Sequence, residues 1–171
     1  MNILKSMLGL ALMLAVTFAF ARIPLQWIEP AGRCRDLDDW TVYRAAIAPF
    51  AVTIVAPTLT IAYIRTNHGI LEFVSMIFGL YAFVITGYAM AFYMTGIEDT
   101  AQAGLPVTAF SDYLYYSTVT FTTLGYGDFR PCTPARLYAA TEAIFGGFFM
   151  PFSSAVVFLS KFLRDREIAN N

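Results

Sequence analysis

The chain has 171 residues, of which 58% are hydrophobic and only 13% are charged, and its formal net charge is −1. Soluble domains contain about 25% charged residues, and the excess of large side chains, 16 Phe and 10 Tyr, is more than a core of this size can hide. This composition excludes a disordered chain and a basic nucleic-acid-binding protein. The surplus apolar surface is therefore expected to face lipid.

Long stretches without a charged residue locate the predicted membrane segments. They cover residues 6–21, 45–64, 73–97, 113–127 and 143–160. A helix needs about 20 residues to cross roughly 30 Å of hydrocarbon, so the second and third stretches can span, and the fifth can span once residues 137–142 are added. The fourth is too short and ends in Gly-Tyr-Gly. It is predicted to be a re-entrant segment, which is tolerated only where protein or a water-filled cavity surrounds it.

The first third of the chain is predicted to hold two helices and a linker. Residues 1–22 form a transmembrane helix or, alternatively, a removed signal peptide, because Lys5 precedes an apolar stretch that ends in Ala-Phe-Ala. Residues 23–44 form a polar linker outside the cytoplasm in either case. Residues 45–65 form a second transmembrane helix, which has no regularly spaced Arg or Lys. A voltage sensor built on an arginine-rich helix is therefore excluded there.

The sequence TTLGYGD at residues 122–128 is the candidate functional segment. A dehydrated monovalent cation needs a ring of oxygen atoms that replaces its water shell. Backbone carbonyl groups supply such a ring only if they all point inward, which regular helices and strands do not allow. Gly125 and Gly127 relax that limit, because glycine adopts left-handed conformations without steric cost. The segment therefore suits a cation site made of main-chain oxygens.

The same segment resembles the pore signature of tetrameric potassium channels. The resemblance implies that backbone carbonyl groups bind K⁺, and the residues that supply them are Thr123, Leu124, Gly125 and Tyr126. Gly127 completes the filter, Tyr126 packs its ring outward, and Asp128 attracts cations at the mouth. Leu124 stands where Val is commoner in the family, but it contributes its carbonyl group, so little change in selectivity is expected.

The resemblance implies that residues 70–163 form a channel pore domain. Its parts are an outer helix at residues 70–96, a pore helix at 111–122, a filter at 123–128 and an inner helix at 135–163. Ser111 and Asp112 are suited to begin the pore helix, and residues 164–171 are predicted to be a short cytoplasmic tail. The predicted fold is thus an all-α membrane protein with four hydrophobic helices per chain and a re-entrant pore helix and filter loop between the third and fourth. One chain supplies one hairpin where the ring needs four, so a homotetramer is expected.

Residues around the filter have predicted supporting roles. The family places an aromatic cuff at the positions of Tyr115 and Tyr116, and Thr122 directly precedes the filter. Some relatives carry a glutamate, paired to the filter aspartate, where this chain has Val119. Asp128 is therefore expected to find another partner in Tyr115 or Tyr116.

The inner helix contains residues that interrupt its regular pattern. The resemblance implies a gating hinge at Gly146, with Gly147 and Pro151 in the same stretch, since proline kinks a helix. The alternative is close helix packing through small residues. Glu142 is an acid within the membrane and so a functional candidate, but a structural hydrogen bond behind the pore helix is the preferred interpretation.

Other polar residues receive simpler interpretations. Cys34 and Cys132 both fall on the predicted outer face, where disulfides persist; two free thiols are expected, and pairing is the alternative. Glu98 and Asp99 are expected to be polar surface, with an outer acidic funnel as the alternative. His68 is expected to be a solvated turn residue.

The sequence therefore predicts passive, potassium-selective conduction through a multi-pass homotetramer in the cell membrane. The expected partners are potassium ions, the lipid bilayer and further copies of the chain, with no nucleic acid. No cofactor is implied beyond the transported ion, and no nucleophile lies beside a base, so an enzyme is not indicated. The alternatives are a non-selective monovalent cation channel and a non-conducting accessory subunit.

Overall fold

The computed structural model describes Cys34, Ala45, residues 70–102 and residues 105–169. Apart from Cys34 and Ala45, the predictions for residues 1–22, 23–44 and 45–65 and for His68 lie outside the described residues.

Helix α1, Ile70–Thr95, corresponds to the predicted outer helix. Its 26 residues extend over about 39 Å at 1.5 Å per residue. Val74–Thr95 is the one segment within the described part of the chain that is both long enough and apolar enough to cross a membrane. The next helix along the chain packs against it.

Helix α2, Phe110–Phe121, is the short helix predicted before residues 123–128, which are called the glycine-rich segment below. Its N-cap is Ala109, which makes no side-chain cap hydrogen bond, so the prediction that Ser111 and Asp112 begin the helix is wrong by one residue. Asp112 lies instead in the first turn, where a carboxylate interacts favourably with the helix dipole.

Aromatic rings join α2 to α1 along its length. The edge-to-face pairs are Tyr93–Tyr113 at 5.2 Å, Phe92–Tyr116 at 4.8 Å and Tyr81–Phe121 at 5.3 Å between ring centroids. Edge-to-face geometry is favoured because the positive ring edge meets the negative face. The short helix is therefore held near its beginning, middle and end by the spanning helix.

A two-stranded antiparallel ribbon, which the all-α prediction did not include, connects the two halves of the domain. Strand β1, Ile97–Asp99, follows α1, and strand β2, Phe129–Pro131, follows the glycine-rich segment. Ile97 faces Pro131 and Asp99 faces Phe129 in the register. The ribbon fixes the outer end of residues 123–128 to the end of α1.

The last part of the domain is a long helical segment in which 3₁₀, α and π hydrogen-bonding patterns follow one another. A 3₁₀ turn at Thr133–Ala135 leads into α3, Arg136–Ile144, a π-helical turn at Phe145–Phe149 and α4, Met150–Ala169. The helix therefore continues to Ala169, past the predicted end at residue 163 and into the predicted tail. Pro151 has no N–H to donate to the preceding turn, which gives the wider π-helical turn a local cause.

A disulfide joins Cys34 to Cys132, so the expectation of two free thiols is wrong. The Cα atoms lie 5.1 Å apart, within the range that a disulfide can bridge. Cys132 directly follows β2, and its N–H donates to the carbonyl oxygen of Gly96. The bond therefore attaches an N-terminal residue to the ribbon beside the glycine-rich segment.

Reducing this disulfide is expected to lower the free energy of unfolding by about 2–4 kcal/mol, because a crosslink between distant residues restricts the unfolded chain. The two cysteines are 98 residues apart in sequence. Thermal unfolding of the detergent-solubilised protein with and without reductant measures the change. The double variant Cys34→Ser, Cys132→Ser is the control and should be insensitive to reductant; an unchanged midpoint for the parent protein would contradict the assignment.

Candidate functional site

The glycine-rich segment leaves the end of α2 in a backbone conformation that is neither helix nor strand. Positive φ angles recur at every second residue: 59° at Thr123, 55° at Gly125 and 80° at Gly127. The two glycines were expected to adopt this conformation. A positive φ at Thr123 was not predicted, because a β-branched residue rarely adopts one. Such strained residues concentrate at functional sites.

Four consecutive carbonyl oxygens of this segment accept no hydrogen bond from the described residues. In a regular strand successive carbonyl groups point to opposite sides, and a change of φ sign at alternate residues turns them toward a common side. The four oxygens belong to Thr123, Leu124, Gly125 and Tyr126. The segment is exposed in the single chain. It therefore presents consecutive main-chain acceptors that need a partner.

The end of α2 adds a favourable potential for a cation. The helix ends at Phe121 and its C-cap is Thr122, whose hydroxyl donates to the carbonyl oxygen of Thr118 at 2.7 Å. The C-terminal end of a helix carries about half a negative charge. This end directly precedes Thr123, so the partial charge and the free carbonyl groups favour the same kind of ligand.

Asp128 closes the outer end of the segment and is held by Tyr115. The tyrosine hydroxyl donates to Asp128 Oδ2 at 2.7 Å, and its ring contacts Phe129. Donation of the hydroxyl proton to the carboxylate raises the pKa of Tyr115 above the ordinary tyrosine value. The expectation that Asp128 bonds Tyr115 or Tyr116 is confirmed for Tyr115, whereas Tyr116 is buried against Phe92.

Thr100 is a supporting residue that sequence reasoning missed. Its backbone N–H donates to the carbonyl oxygen of Asp128 at 2.8 Å. Its hydroxyl lies 3.0 Å from the carbonyl oxygen of Gly127 and 2.9 Å from that of Asp128. Thr100 follows β1, so the ribbon brings it beside residues that are 27 and 28 positions later in the chain. No local sequence pattern could indicate this contact.

The two acids before Thr100 stabilise the ribbon. Glu98 Oε2 lies 2.8 Å from the Arg130 guanidinium, across the register from β1 to β2. Asp99 Oδ1 accepts hydrogen bonds from the backbone N–H groups of Ala101 and Gln102. These contacts agree with structural roles for both acids and give no support to an acidic funnel.

Glu142 on α3 makes the hydrogen-bonded contact that was expected behind the pore helix. Its Oε1 bonds with the hydroxyl of Ser117 on α2. The Ser117 Oγ also lies 2.8 Å from the carbonyl oxygen of Ile85 on α1. This contact joins all three helices, and the sequence alone did not identify Ser117.

The predicted hinge residues lie in and just after the π-helical turn. A Cβ atom on Gly146 would lie 2.0 Å from the Phe121 carbonyl oxygen, whereas one on Gly147 would lie 3.1 Å from Cγ2 of Thr123. Gly146 therefore lets the turn approach the end of α2, which favours the alternative of close packing through small residues. A bend at Gly146, Gly147 and Pro151 stays a prediction.

An open cavity of about 330 Å³ lies beside the glycine-rich segment. It is faced by Tyr116, Val119 and Thr120 of α2 and by residues of the segment from Thr123 to Asp128. The described residues contain no group of three His, Cys, Asp or Glu side chains able to hold a metal ion. In the described part of the chain this site is therefore a cavity beside exposed main-chain oxygens rather than a cluster of metal-ligating side chains.

A family model described as an ion channel matches residues 75–162, which is more than half of the chain. The matched region runs from α1 through the glycine-rich segment into α4. No curated protein and no solved structure matches the chain.

Proposed function

The chain belongs to the ion channel family, and from this premise we propose that it is a potassium-selective channel. In this proposal the carbonyl oxygens of Thr123, Leu124, Gly125 and Tyr126 replace the water shell of K⁺, and ions move passively by mutual repulsion between successive sites. The channel is a multi-pass protein of the cell membrane without an intrinsic voltage sensor.

The observation that carries the proposal is the row of unpaired carbonyl oxygens at residues 123–126. A backbone carbonyl group without a hydrogen-bond partner is costly in a membrane interior. Such a row is therefore expected only where water or a ligand binds the oxygens. The positive φ angles at Thr123, Gly125 and Gly127 support a common orientation for these groups. A cation is the ligand that consecutive oxygen dipoles favour.

A homotetramer is proposed because one chain supplies only one arc of oxygens. Tyr126 is 67% exposed and Leu124 is 60% exposed in the single chain, although both lie in a segment proposed to sit within the membrane. Irregular backbone within a membrane is tolerated only where protein or a water-filled cavity surrounds it, so further chains rather than lipid are proposed to cover this segment. Four copies of the segment around one axis would close the ring and cover both side chains.

Uptake of potassium, rubidium and sodium by liposomes that contain the purified protein tests the proposal. We expect potassium and rubidium to enter and sodium to be excluded. Tyr126→Ala, which removes the ring proposed to hold the pore diameter, should conduct with reduced selectivity. Equal uptake of the three cations would support a non-selective channel. No uptake, with Gly125→Asp indistinguishable from the parent protein, would support an accessory subunit.

Tyr115→Phe is expected to shorten the time for which potassium current persists, because it removes the hydrogen bond that holds Asp128. The bond is exposed to solvent, so its loss should change the position of Asp128 more than the stability of the fold. Recordings in planar bilayers measure the decay of the current. Tyr116→Phe is the matched control, since Tyr116 packs against Phe92 rather than Asp128; equal decay in the two variants would contradict the role of Tyr115.

A further inference from the structure

A buried polar cluster joins the three helices behind the glycine-rich segment. It consists of Glu142 on α3, Ser117 on α2 and the backbone carbonyl group of Ile85 on α1. Glu142 and Ser117 are both fully buried. The Ser117 Oγ contacts Glu142 Oε1 and lies 2.8 Å from the Ile85 carbonyl oxygen.

The number of protons available in this cluster decides whether the ionised or the neutral form of Glu142 fits. A serine hydroxyl carries one proton and can also accept, whereas an ionised carboxylate and a carbonyl oxygen only accept. If Glu142 were ionised, the single Ser117 proton would serve two acceptors. If Glu142 carries a proton on Oε1, it donates to Ser117 Oγ, and the Ser117 proton is free to bond the Ile85 carbonyl oxygen. The neutral acid satisfies both contacts.

The second carboxyl oxygen leads to the same conclusion. Glu142 Oε2 is buried and has no hydrogen-bond partner among the described residues. The one ion pair between described residues joins Arg130 to Glu98, so no described basic side chain balances Glu142. The titratable groups that face Glu142 are the phenols of Tyr88 from α1 and Tyr116 from α2, which carry no positive charge. An unpaired buried carboxylate is far more costly than one unpaired carbonyl-type oxygen.

We infer that Glu142 is a positioning residue that acts as a neutral carboxylic acid and holds α2 in place through Ser117. Ser117 lies one turn before Phe121, where α2 ends and the glycine-rich segment begins. The donor on Glu142 therefore fixes α2 relative to both α1 and α3 and sets the position of the backbone that follows. The consequence for ion selectivity rests on the proposed channel function, whereas the protonation of Glu142 does not.

Infrared spectroscopy of the folded protein at neutral pH tests the protonation directly. We expect the carbonyl stretch of a protonated carboxylic acid in the parent protein. The band should disappear in Glu142→Gln and persist in Glu98→Gln, the control variant of an ion-paired glutamate. A parent spectrum without the band, or a band that Glu142→Gln leaves unchanged, would overturn the inference whether or not the protein conducts.

Ion uptake then tests the positioning role. Glu142→Gln keeps a neutral donor for Ser117 and should retain the potassium preference of the parent. Glu142→Leu has a similar volume but no donor, so we expect its preference to fall by about tenfold, the effect of losing one buried hydrogen bond. Equal losses in the two variants would overturn the role.

If the parent conducts no potassium, the proposed function fails, and thermal unfolding of the same variants tests the role of Glu142 instead. The unfolding midpoint of Glu142→Gln should match that of the parent and lie above that of Glu142→Leu. Equal midpoints for the two variants would overturn the inference.

If Glu142→Leu does not fold, Ser117→Ala supplies the second comparison, because it removes the hydroxyl that links α1 to α3. The potassium preference of Ser117→Ala should fall as well, and the double variant Ser117→Ala, Glu142→Gln should not recover that preference. A Ser117→Ala variant with the parent's preference and unfolding midpoint would overturn the positioning role.

Discussion

Gly146→Ala is expected to abolish potassium uptake, because the new methyl group would occupy the space of the α2 backbone. Its Cβ atom would lie 2.0 Å from the carbonyl oxygen of Phe121 and 2.8 Å from its carbonyl carbon. Neither atom can rotate away, since both belong to the last residue of α2. Overpacking of a core commonly costs about 1–3 kcal/mol and more when backbone must move. The displaced backbone leads directly into Thr123.

Gly147→Ala is the matched control, one residue later in the same π-helical turn. Its Cβ atom would approach only Cγ2 of Thr123, at 3.1 Å, and that side chain can shift by a few tenths of an ångström. Alanine also favours helix over glycine by about 1 kcal/mol, so this variant should fold and conduct. Potassium uptake and thermal unfolding of both variants measure the difference. Similar behaviour of the two would show that Gly146 does not pack against α2 as described.

Gly125→Asp is expected to inactivate channels even when mixed with the parent chain. Gly125 has a φ of 55°, where a side chain is strained, and its carbonyl group is one of the four proposed to bind K⁺. The substitution adds a carboxylate beside the proposed ion path, where it would hold a cation and stop conduction. One altered chain should therefore disable the whole assembly.

Co-expression of the two chains at equal levels, followed by purification and liposome uptake, measures this effect. If four chains form each pore and all must be unaltered, activity falls to about one sixteenth of the parent value. A fall to one half would mean that each chain acts alone and would contradict the homotetramer. Thr118→Ser is a suitable control partner, because it retains the hydroxyl that bonds the Leu114 carbonyl oxygen.

Much of the pore domain could be predicted because its signals are local. The charge-free stretch predicted the outer helix, and the structure has it at Ile70–Thr95. The short helix before the glycines was predicted to within one residue at each end. The absence of a glutamate at Val119 predicted a new partner for Asp128, and Tyr115 is that partner. Each of these inferences depends on residue type and on spacing along one segment.

The missed features depend on contacts between distant segments. Strands of three residues are too short for alternating hydrophobicity to reveal them, and the ribbon forms only because Ile97–Asp99 and Phe129–Pro131 meet in space. Thr100 and Ser117 acquire their partners in the same way. The disulfide between Cys34 and Cys132 also depended on tertiary position, since two cysteines on one face need not be close.

The positive φ at Thr123 has a different explanation. Sequence reasoning assigns left-handed backbone to glycine, because side chains make it costly. Here the position at the end of α2 and the hydrogen bonds from the Thr123 and Leu124 N–H groups to Thr120 and Val119 hold the conformation. Thr123 thus has a backbone geometry that the residue itself disfavours, and the neighbouring contacts compensate for it.

The reversal potential of the purified protein in a planar bilayer, with potassium on one side and sodium on the other, tests the central claim most directly. Each tenfold preference for one monovalent cation moves this potential by about 59 mV. If the carbonyl groups of residues 123–126 replace the water shell of K⁺, the reversal potential should shift by more than about 59 mV toward the potassium equilibrium potential. A potential near zero, with current flowing, would contradict the claim.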